Sequence, residues 1–376
     1  MLQSIIVYGF LTIFMMIFSN IPAKFQERNV KSLFQVEIFF LIMAFAIICG
    51  LRYDVGVDYF SYLGSYDDIS KYNDSESVKF EIGFKSVMQL LAAFEAHFFW
   101  FFFVTSLVQI YFITKAFETE KRVLPYLSFV LMTGGIYFTL MNEIRQGIVV
   151  CIFLFATRFI LERNLIKYLL CFLLSYIIHK SALIFIPIYF IFRIDRDFFK
   201  NTKIQIIALF MAVVLSSFNV WTYWLSYIEK IIVFAGYDNS YGSISEKMAL
   251  FEHEYSKGAR FYFPVLINVI IILYSPRMKR YFEAKKFRLF YNIYFIGALT
   301  TFLFYNNTLM QRPVRFFTFF QLIMTSYLFL YLWTNKRKNK YNFLILLFLV
   351  MLHLVIFYAY LASDHHTVYY FFWEFN

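Results

Sequence analysis

The segment from Arg52 to Tyr66 is dense in groups that can bind phosphates and sugars. Its sequence, RYDVGVDYFSYLGSY, includes one arginine, two aspartates and four tyrosines, and it follows an apolar run long enough to cross a bilayer. Tyrosine rings can pack against sugar faces while their hydroxyls form hydrogen bonds. The residues of this segment that we expect to contact a carbohydrate are Arg52, Asp54, Tyr59, Tyr62 and Tyr66.

Two carboxylates in the same loop are candidate general bases. Asp58 follows Gly56, which permits a tight backbone turn, and Glu81 lies near a predicted helix end. Either could take the proton from a sugar hydroxyl as that hydroxyl attacks. Asp58 is the preferred base and Glu81 the alternate. The other acidic residues of the loop are interpreted as solvated: Asp67, Asp68, Asp74 and Glu76.

Arg145, in the motif NEIRQG, lies where one predicted span ends on the outer side and the next begins. An arginine at membrane depth is costly and is usually paired or functional. Its planar guanidinium suits phosphate oxygens, and Gln146 adds a second donor. We therefore expect Arg145 to bind phosphate and Gln146 to contact sugar. The alternative is an ion pair with Glu143 that merely closes the turn.

His179 lies between two predicted spans, 165–179 and 181–194. As helices they would rise only about 21–23 Å, whereas the hydrocarbon core is about 30 Å thick. The turn at His179 is therefore expected below the outer surface, where it would line a cavity and orient a phosphate or hydroxyl. The alternative is a tilted hairpin with a hydrogen-bonded histidine.

Arg312 and Arg315, in QRPVRFF, are three residues apart at the outward start of a predicted span. This spacing puts both on one helix face, and Pro313 suits the first turn of a helix. Two guanidiniums at a helix N-terminus could bind an anion. With Arg145 they suggest a pyrophosphate clamp; the alternative is arginines whose charged ends reach the membrane interface.

Neither histidine nor cysteine spacing predicts a metal site. The three cysteines lie in apolar runs without CxxC spacing and are interpreted as buried side chains. His365 and His366, beside Asp364, are interpreted as a solvated tail. We expect no metal and no cofactor, and the absence of a phosphate-binding glycine loop agrees with chemistry that uses no nucleotide.

The composition is that of an integral membrane protein. Hydrophobic residues make up 61% of the chain and charged residues 16%, compared with about 25% charged residues in soluble domains. We expect an all-α polytopic membrane protein, residues 1–376 forming a single integral membrane domain with about twelve transmembrane helices. The spans are predicted at 2–21, 34–50, 98–117, 124–141, 147–162, 165–179, 181–194, 204–218, 261–275, 289–305, 316–334 and 341–361.

The charges predict the orientation of these spans. Of the 35 lysines and arginines, 23 fall in alternate short connections, which the positive-inside rule places in the cytoplasm. Those connections are 22–33, 115–123, 158–168, 193–203, 276–288 and 335–340. The long loops 51–97 and 219–260 then face outward, and 84–94 is too short to span and is interpreted as an interfacial or re-entrant helix. The basic residues behind the net charge of +11 are therefore expected to contact anionic lipid headgroups and not nucleic acid.

Four motifs, in order and spacing, resemble the EpsG-like family of bacterial exopolysaccharide polymerases, relatives of the Wzy-type O-antigen polymerases. They are RYDVGVDYFSY, EIGF, EIRQGIVVCIFLFATRFI and HKSALIFIPIYF. The resemblance is clearest over about 51–190; beyond it, the chain is similar mainly in its pattern of spans and in the QRPVRFF arginines.

The resemblance implies a metal-independent glycosyltransferase in the bacterial cytoplasmic membrane, with its site facing outward. A glycan on undecaprenyl pyrophosphate would be transferred to a lipid-linked repeat unit for capsule, exopolysaccharide or O-antigen. In these roles Asp58, or alternatively Glu81, would act as base, and His179 would orient or hydrogen-bond a phosphate or hydroxyl. Arg145, Arg312 and Arg315 would hold the pyrophosphate. A chain-length regulator is a further candidate partner. The alternatives are a lipid-linked glycan ligase and a flippase or transporter of the lipid-linked unit.

Overall fold

The computed structural model describes residues 1–26, 34–218, 258–363 and 365–375. The outer loop predicted at 219–260 lies almost wholly outside these residues. The chain forms two compact units, the first made of residues 1–182 and 332–376 and the second of residues 183–331.

Both units are built almost entirely from helices, as the sequence predicts. In chain order the α-helices of the described residues are α1 (Leu2–Gln26), α2 (Phe34–Leu51), α3 (Tyr59–Ser70), α4 (Ile82–Ala93), α5 (Phe98–Ala116), α6 (Leu124–Thr133), α7 (Ile136–Asn142), α8 (Ile144–Leu161), α9 (Leu165–Tyr176), α10 (Phe185–Phe192), α11 (Thr202–Leu215), α12 (Ala259–Phe282), α13 (Lys285–Leu303), α14 (Thr308–Thr334) and α15 (Lys340–Ser363). Short 3-10 turns occupy Lys121–Val123, Lys180–Ile184, His365–Thr367 and Phe372–Glu374. Two short strands, β1 (Arg52–Tyr53) and β2 (Tyr370–Phe371), pair antiparallel.

Six helices of the described chain are long and apolar enough to cross a bilayer. They contain the segments Leu2–Lys24, Phe98–Ala116, Ile144–Leu161, Phe261–Phe282, Met310–Thr334 and Lys340–Ala362. A seventh span is possible if α6 and α7, which are bent by 67° at a short break, cross together. The multi-pass membrane architecture is thus confirmed, but the count of twelve spans is not.

Much of the difference arises from helices that are apolar but short, although the nineteen-residue helix α13 is also not among the six. The segment predicted at 84–94 is the twelve-residue helix α4, and α9 also has twelve residues. A helix of that length rises only about 18 Å, well below the thickness of about 30 Å. The sequence prediction of a short helix at 84–94 is confirmed, and α3 adds a second one in the same loop. Their interfacial placement at the outer side stays a prediction.

The first unit is organised around α2, α5 and α8. Helix α5 packs against both α2 and α8, and α1 packs against α2 and α6. Of the six candidate spans, α8 is the most buried and α15 the least. The helix that carries Arg145 is therefore held on several sides, which is what a fixed functional group requires.

The second unit brings together two connections that the charge pattern places in the cytoplasm. Asp195 pairs with Arg288 at 2.9 Å, and Asp197 pairs with Lys279 at 2.9 Å. The side-chain amide of Asn292 also donates to the backbone oxygen of Arg196 at 2.8 Å. These contacts join 193–203 to 276–288, so both connections lie at the same end of this unit, as the sequence predicts.

The C-terminal residues 365–375, which we call the C-terminal strap, are not the solvated tail that the sequence suggested. Strand β2 pairs with β1, so that Phe371 lies opposite Arg52. The strap residue Tyr369 is fully buried and donates its hydroxyl to the backbone oxygen of Ile48 at 2.8 Å. The Phe375 ring stacks on Tyr53 with centroids 4.6 Å apart. Aromatic residues hold the strap down because their large apolar area is removed from water.

We expect Tyr369→Ala to lower the free energy of unfolding of the detergent-solubilised protein by about 3–5 kcal/mol. The substitution would empty a buried ring site and remove the hydrogen bond to α2. Trp373 is half exposed and stacks on Phe371 with centroids 4.4 Å apart, so Trp373→Ala should cost less, about 1 kcal/mol. Thermal unfolding in the same detergent measures both, and equal effects would contradict the buried role of the strap.

Candidate active site

Three side chains predicted from the sequence meet in the first unit. The Glu81 carboxylate lies between an arginine and a histidine: its Oε2 accepts from Arg145 Nη1 at 2.6 Å, and its Oε1 contacts His179 Nδ1 at 2.8 Å. All three side chains are mostly buried but retain some exposure. The residues are far apart in sequence, so this cluster is a product of the tertiary fold.

The motif EIGF positions the carboxylate. Glu81 is the N-cap residue of α4, but its side chain leaves the helix N–H groups unused. The backbone N–H of Gly83 donates to the Ile177 oxygen at 2.8 Å, and a Cβ on Gly83 would lie within 2.8 Å of that oxygen. Only glycine allows this approach, which brings the start of α4 against the turn that carries His179. Lys180 N–H then donates to Glu81 Oε1 at 3.3 Å.

Arg145 is the second residue of α8 and follows a sharp corner between α7 and α8. Its guanidinium carbon lies 4.3 Å from the centre of the Phe80 ring, and the Tyr62 hydroxyl lies beside it. Arg145 forms an ion pair with Glu81, a partner that the sequence interpretation did not suggest. A guanidinium held between a ring and a carboxylate has little rotational freedom, so Arg145 is preorganised.

The Glu81 carboxylate is ionised throughout the neutral pH range. Burial would raise the pKa of this carboxyl, but the hydrogen bond and charge of His179 and the charge of Arg145 outweigh it and lower the pKa to about 2. A carboxylate with so low a pKa is a weak proton acceptor. The geometry therefore disfavours Glu81 as the base and gives it a positioning role.

The ionised carboxylate determines which nitrogen of His179 carries the proton. Since Glu81 can only accept a hydrogen bond, Nδ1 of His179 must donate it. In the neutral ring, Nε2 is then the acceptor. Nε2 of His179 has no hydrogen-bond partner within the described part of the chain. The Glu81–His179 pair is thus arranged as a base and its orienting carboxylate.

Three tyrosines that the sequence assigned to sugar binding have no free face in this structure. Tyr59, Tyr62 and Tyr66 are buried on one side of α3. The Tyr59 ring stacks on Phe102 with centroids 4.8 Å apart, and the Tyr66 ring stacks on Phe101 at 5.6 Å. Their spacing of three and four residues is that of a core-facing helix stripe. The expectation that these rings stack on sugar is corrected.

Arg52 and Gln146 are also buried rather than available to a sugar. Asp54 and Asp58 remain partly or fully exposed at the start of α3. Asp54 lies 3.7 Å from the His366 ring of the strap. Asp58 precedes α3 as its N-cap residue, and Gly56 adopts a φ of +99°. The tight turn predicted at Gly56 is confirmed.

Arg312 and Arg315 lie in the second unit, so the clamp of three arginines stays a prediction. Helix α14 begins at Thr308, which places Pro313 inside the helix instead of in its first turn. The backbone N–H of Met310 is capped by the Asn307 side chain at 3.0 Å. The expectation of two arginines at a helix N-terminus is corrected, because both lie at least one turn further on.

The sequence interpretation missed three residues that shape this region. Phe80 lies under Arg145, Asn142 binds the backbone of Asp58, and Gln109 bridges the break between α7 and α8. Phe80 directly precedes EIGF and Asn142 precedes Arg145 in NEIRQG, so both lie next to recognised motifs. Gln109 could have been identified from the sequence alone, because it is a polar residue within the apolar span α5.

Comparison with known proteins identifies the family. Residues 36–375 match the model of the EpsG family. The chain belongs to the EpsG family. This match covers the strap, α4, α8 and the turn at His179, and it indicates a polymerase-type role in exopolysaccharide synthesis. Neither a curated protein nor a solved structure matches the chain.

Proposed function

We propose that this EpsG-family protein is a polysaccharide polymerase whose reaction centre is the cluster of Glu81, Arg145 and His179. The substrates are a glycan on undecaprenyl pyrophosphate and a lipid-linked repeat unit, both presented at the outer face of the cytoplasmic membrane. The observation that supports the proposal is that one ionised carboxylate binds both a histidine and an arginine. Together they provide a base for a hydroxyl and a cation for a leaving group.

The reaction forms one glycosidic bond and breaks one bond to phosphate. A hydroxyl of the acceptor repeat unit attacks the anomeric carbon of the donor glycan. His179 Nε2 takes the hydroxyl proton, and the Glu81 carboxylate stabilises the imidazolium that forms. The bond from the anomeric carbon to the pyrophosphate oxygen breaks, and its electron pair leaves with undecaprenyl pyrophosphate.

Arg145 stabilises the charge that develops on the leaving group. Its guanidinium binds Glu81 through Nη1, and Nε has no partner among the described residues. Arginine offers five N–H donors in a fixed plane, so it can hold Glu81 and still donate to a phosphate oxygen. Such donors act most strongly where water is excluded, and the side chain of Arg145 is three-quarters buried.

Asp58 is the alternative base, and one substitution separates it from His179. Asp58→Asn should retain the polymerisation rate within about threefold, because the general-base contribution of about 10²–10⁴-fold is assigned to another side chain. The measurement is the initial rate of polymer formation in membranes with equal amounts of the variant and the parent protein. A loss of a hundredfold or more would transfer the role of base to Asp58.

A strain lacking the protein distinguishes the proposal from its rivals. A polymerase defect should leave single lipid-linked repeat units facing outward. A flippase defect would leave the same units facing inward, and a ligase defect would leave long polymer still attached to lipid. The last two results would each overturn the proposed function. Lipid analysis with a membrane-impermeant labelling reagent gives both the length and the orientation.

A further inference from the structure

Arg52 is a fully buried arginine that forms no ion pair within the described residues. Its Nη2 donates to the backbone oxygen of Met141 at 3.0 Å, whereas Nε and Nη1 are buried without hydrogen-bond partners. Burying an unpaired charge is expensive, so such a residue persists only where the surroundings compensate for it. The mechanism described above does not use this side chain.

The end of α7 and an aromatic ring supply that compensation. Arg52 directly follows the last residue of α2, and Met141 belongs to the last turn of α7. Helix C-termini carry partial negative charge and favour a cation beside them. The guanidinium carbon also lies 4.7 Å from the centre of the Phe102 ring. Arg52 therefore follows the end of α2 in the chain and binds the end of α7 through its side chain.

The segment that contains Arg52 contacts the corner between α7 and α8 at two further points. The side-chain oxygen of Asn142 accepts from the Asp58 backbone N–H at 2.9 Å. Gly56 packs so closely that a Cβ would lie 3.1 Å from the Asn142 Cα and 3.2 Å from the Met141 oxygen. The first motif of the sequence is thus bound to the end of α7 by a guanidinium, a backbone amide and a glycine.

Arg145 lies in the first turn of α8, only three residues beyond Asn142. Glu143 breaks the chain direction with φ −89° and ψ 58°, and α8 starts at Ile144. Gln109 holds both sides of this break, donating to the Leu140 oxygen at 3.1 Å and the Ile144 oxygen at 3.3 Å. Any shift of the end of α7 would therefore be passed to the first turn of α8, where the guanidinium of Arg145 originates.

We propose that Arg52 is a positioning residue, which fixes the corner between α7 and α8 so that Arg145 meets Glu81 and the substrate. Its consequence for catalysis rests on the proposed function, whereas its effect on the corner does not. Arg52 touches no substrate in this role. Its buried charge holds the end of α7 more firmly than a neutral donor would, because bonds from a charged group are about twice as strong.

A double-mutant cycle tests the coupling. Arg52→Lys keeps a charge but loses the planar fork, and it should lower kcat at least tenfold while KM changes less than threefold. In an Arg145→Ala background the same substitution should lower kcat less than twofold, because the group that it positions is absent. Purified variants are compared at equal amounts of folded protein. Arg158→Lys is the control, because lysine keeps the charge at the exposed pair with Glu162 and Arg158 lies near the opposite end of α8.

Hydrogen exchange gives a readout that does not depend on activity. In detergent, Arg52→Lys should increase amide exchange in the peptide covering 136–147 and leave the peptide covering 202–215 unchanged. Gly56→Ala provides a second variant, since its Cβ would push against Asn142, and it should produce the same pattern. Arg158→Lys should leave both peptides unchanged.

The outcomes separate this inference from the proposed function. Additive losses in the cycle, or unchanged exchange at 136–147 in both variants, would overturn the positioning role of Arg52. Absence of polymerisation by the wild-type protein would overturn the proposed function instead, while increased exchange at 136–147 would still support the hold of Arg52 on the corner.

Discussion

Arg145→Ala is expected to lower the polymerisation rate by about 10²–10³-fold, the loss typical of removing a donor that stabilises transition-state charge. The guanidinium is the cation of the cluster, and it is fixed by Glu81 on one side and by the Phe80 ring at 4.3 Å on the other. The rate of Arg145→Lys should fall between those of the wild-type protein and Arg145→Ala, since lysine keeps the charge but loses the planar fork and the ring contact. Initial rates on a lipid-linked repeat unit measure both.

Arg158 offers a matched control on the same helix. It lies near the opposite end of α8 and pairs with Glu162 at 3.4 Å, with both side chains substantially exposed. Such pairs contribute about 0–1 kcal/mol, so Arg158→Ala should leave the rate and the yield of folded protein unchanged. An equal loss of rate in Arg145→Ala and Arg158→Ala would indicate a general effect on α8 and contradict the role of Arg145.

His179→Ala is expected to lower the rate by about 10²–10⁴-fold, the usual contribution of a general base. Glu81→Gln should cause a smaller loss, because the imidazole remains but its orientation and the charge that stabilises its protonated form are weakened. His97 is the control: its ring caps α5 by accepting from the Phe99 N–H at 3.2 Å. His97→Asn preserves a side-chain cap and should keep the wild-type rate.

The pH dependence of the rate tests the ionised state of Glu81. Because the pKa of the Glu81 carboxyl is about 2, this group does not titrate between pH 5 and pH 9. Any loss of rate on acidification within that range should therefore persist in Glu81→Gln. A loss that disappears in this variant would show that the Glu81 carboxyl itself titrates there, and would contradict its ionised role.

The sequence predicted which residues belong to the candidate site, but it did not predict which of them contact one another. Membrane-depth arginine and histidine are costly, and this cost identified Arg145 and His179. Their connection through Glu81 depends on the close approach of Gly83 to Ile177, which no local pattern encodes. Glu81 was therefore interpreted as an alternate base, whereas its low pKa follows from neighbours distant in sequence.

The tyrosines show the opposite failure. Their residue type suggested sugar binding, but their spacing along α3 is that of a helix stripe, and the stripe packs on the phenylalanines of α5. The sugar-binding interpretation relied on the residue type and did not use the helical spacing of the three tyrosines.

The sequence interpretation missed the C-terminal strap for a different reason. Two-residue strands and isolated rings have no sequence period, so only the surface that they pack against reveals them.

The fold was predictable wherever hydrophobic length was sufficient. Six long helices agree with predicted spans, whereas short apolar helices such as α9 and α10 are indistinguishable from spans by composition alone. Two connections that the charge pattern assigns to one side are joined by ion pairs, whereas the side of the membrane that they face stays a prediction. Length limited most of the incorrect span predictions, although the nineteen-residue helix α13 is also not among the six candidate spans.

The most direct measurement of the central claim is polymerisation by the purified protein in lipid vesicles, supplied with defined lipid-linked repeat units and a metal chelator. We expect the wild-type protein to release one undecaprenyl pyrophosphate for each glycosidic bond formed. His179→Ala and Arg145→Ala, at the same amount of folded protein, should release almost none. Polymer formed at the wild-type rate by either variant would show that the cluster of Glu81, Arg145 and His179 is not the reaction centre.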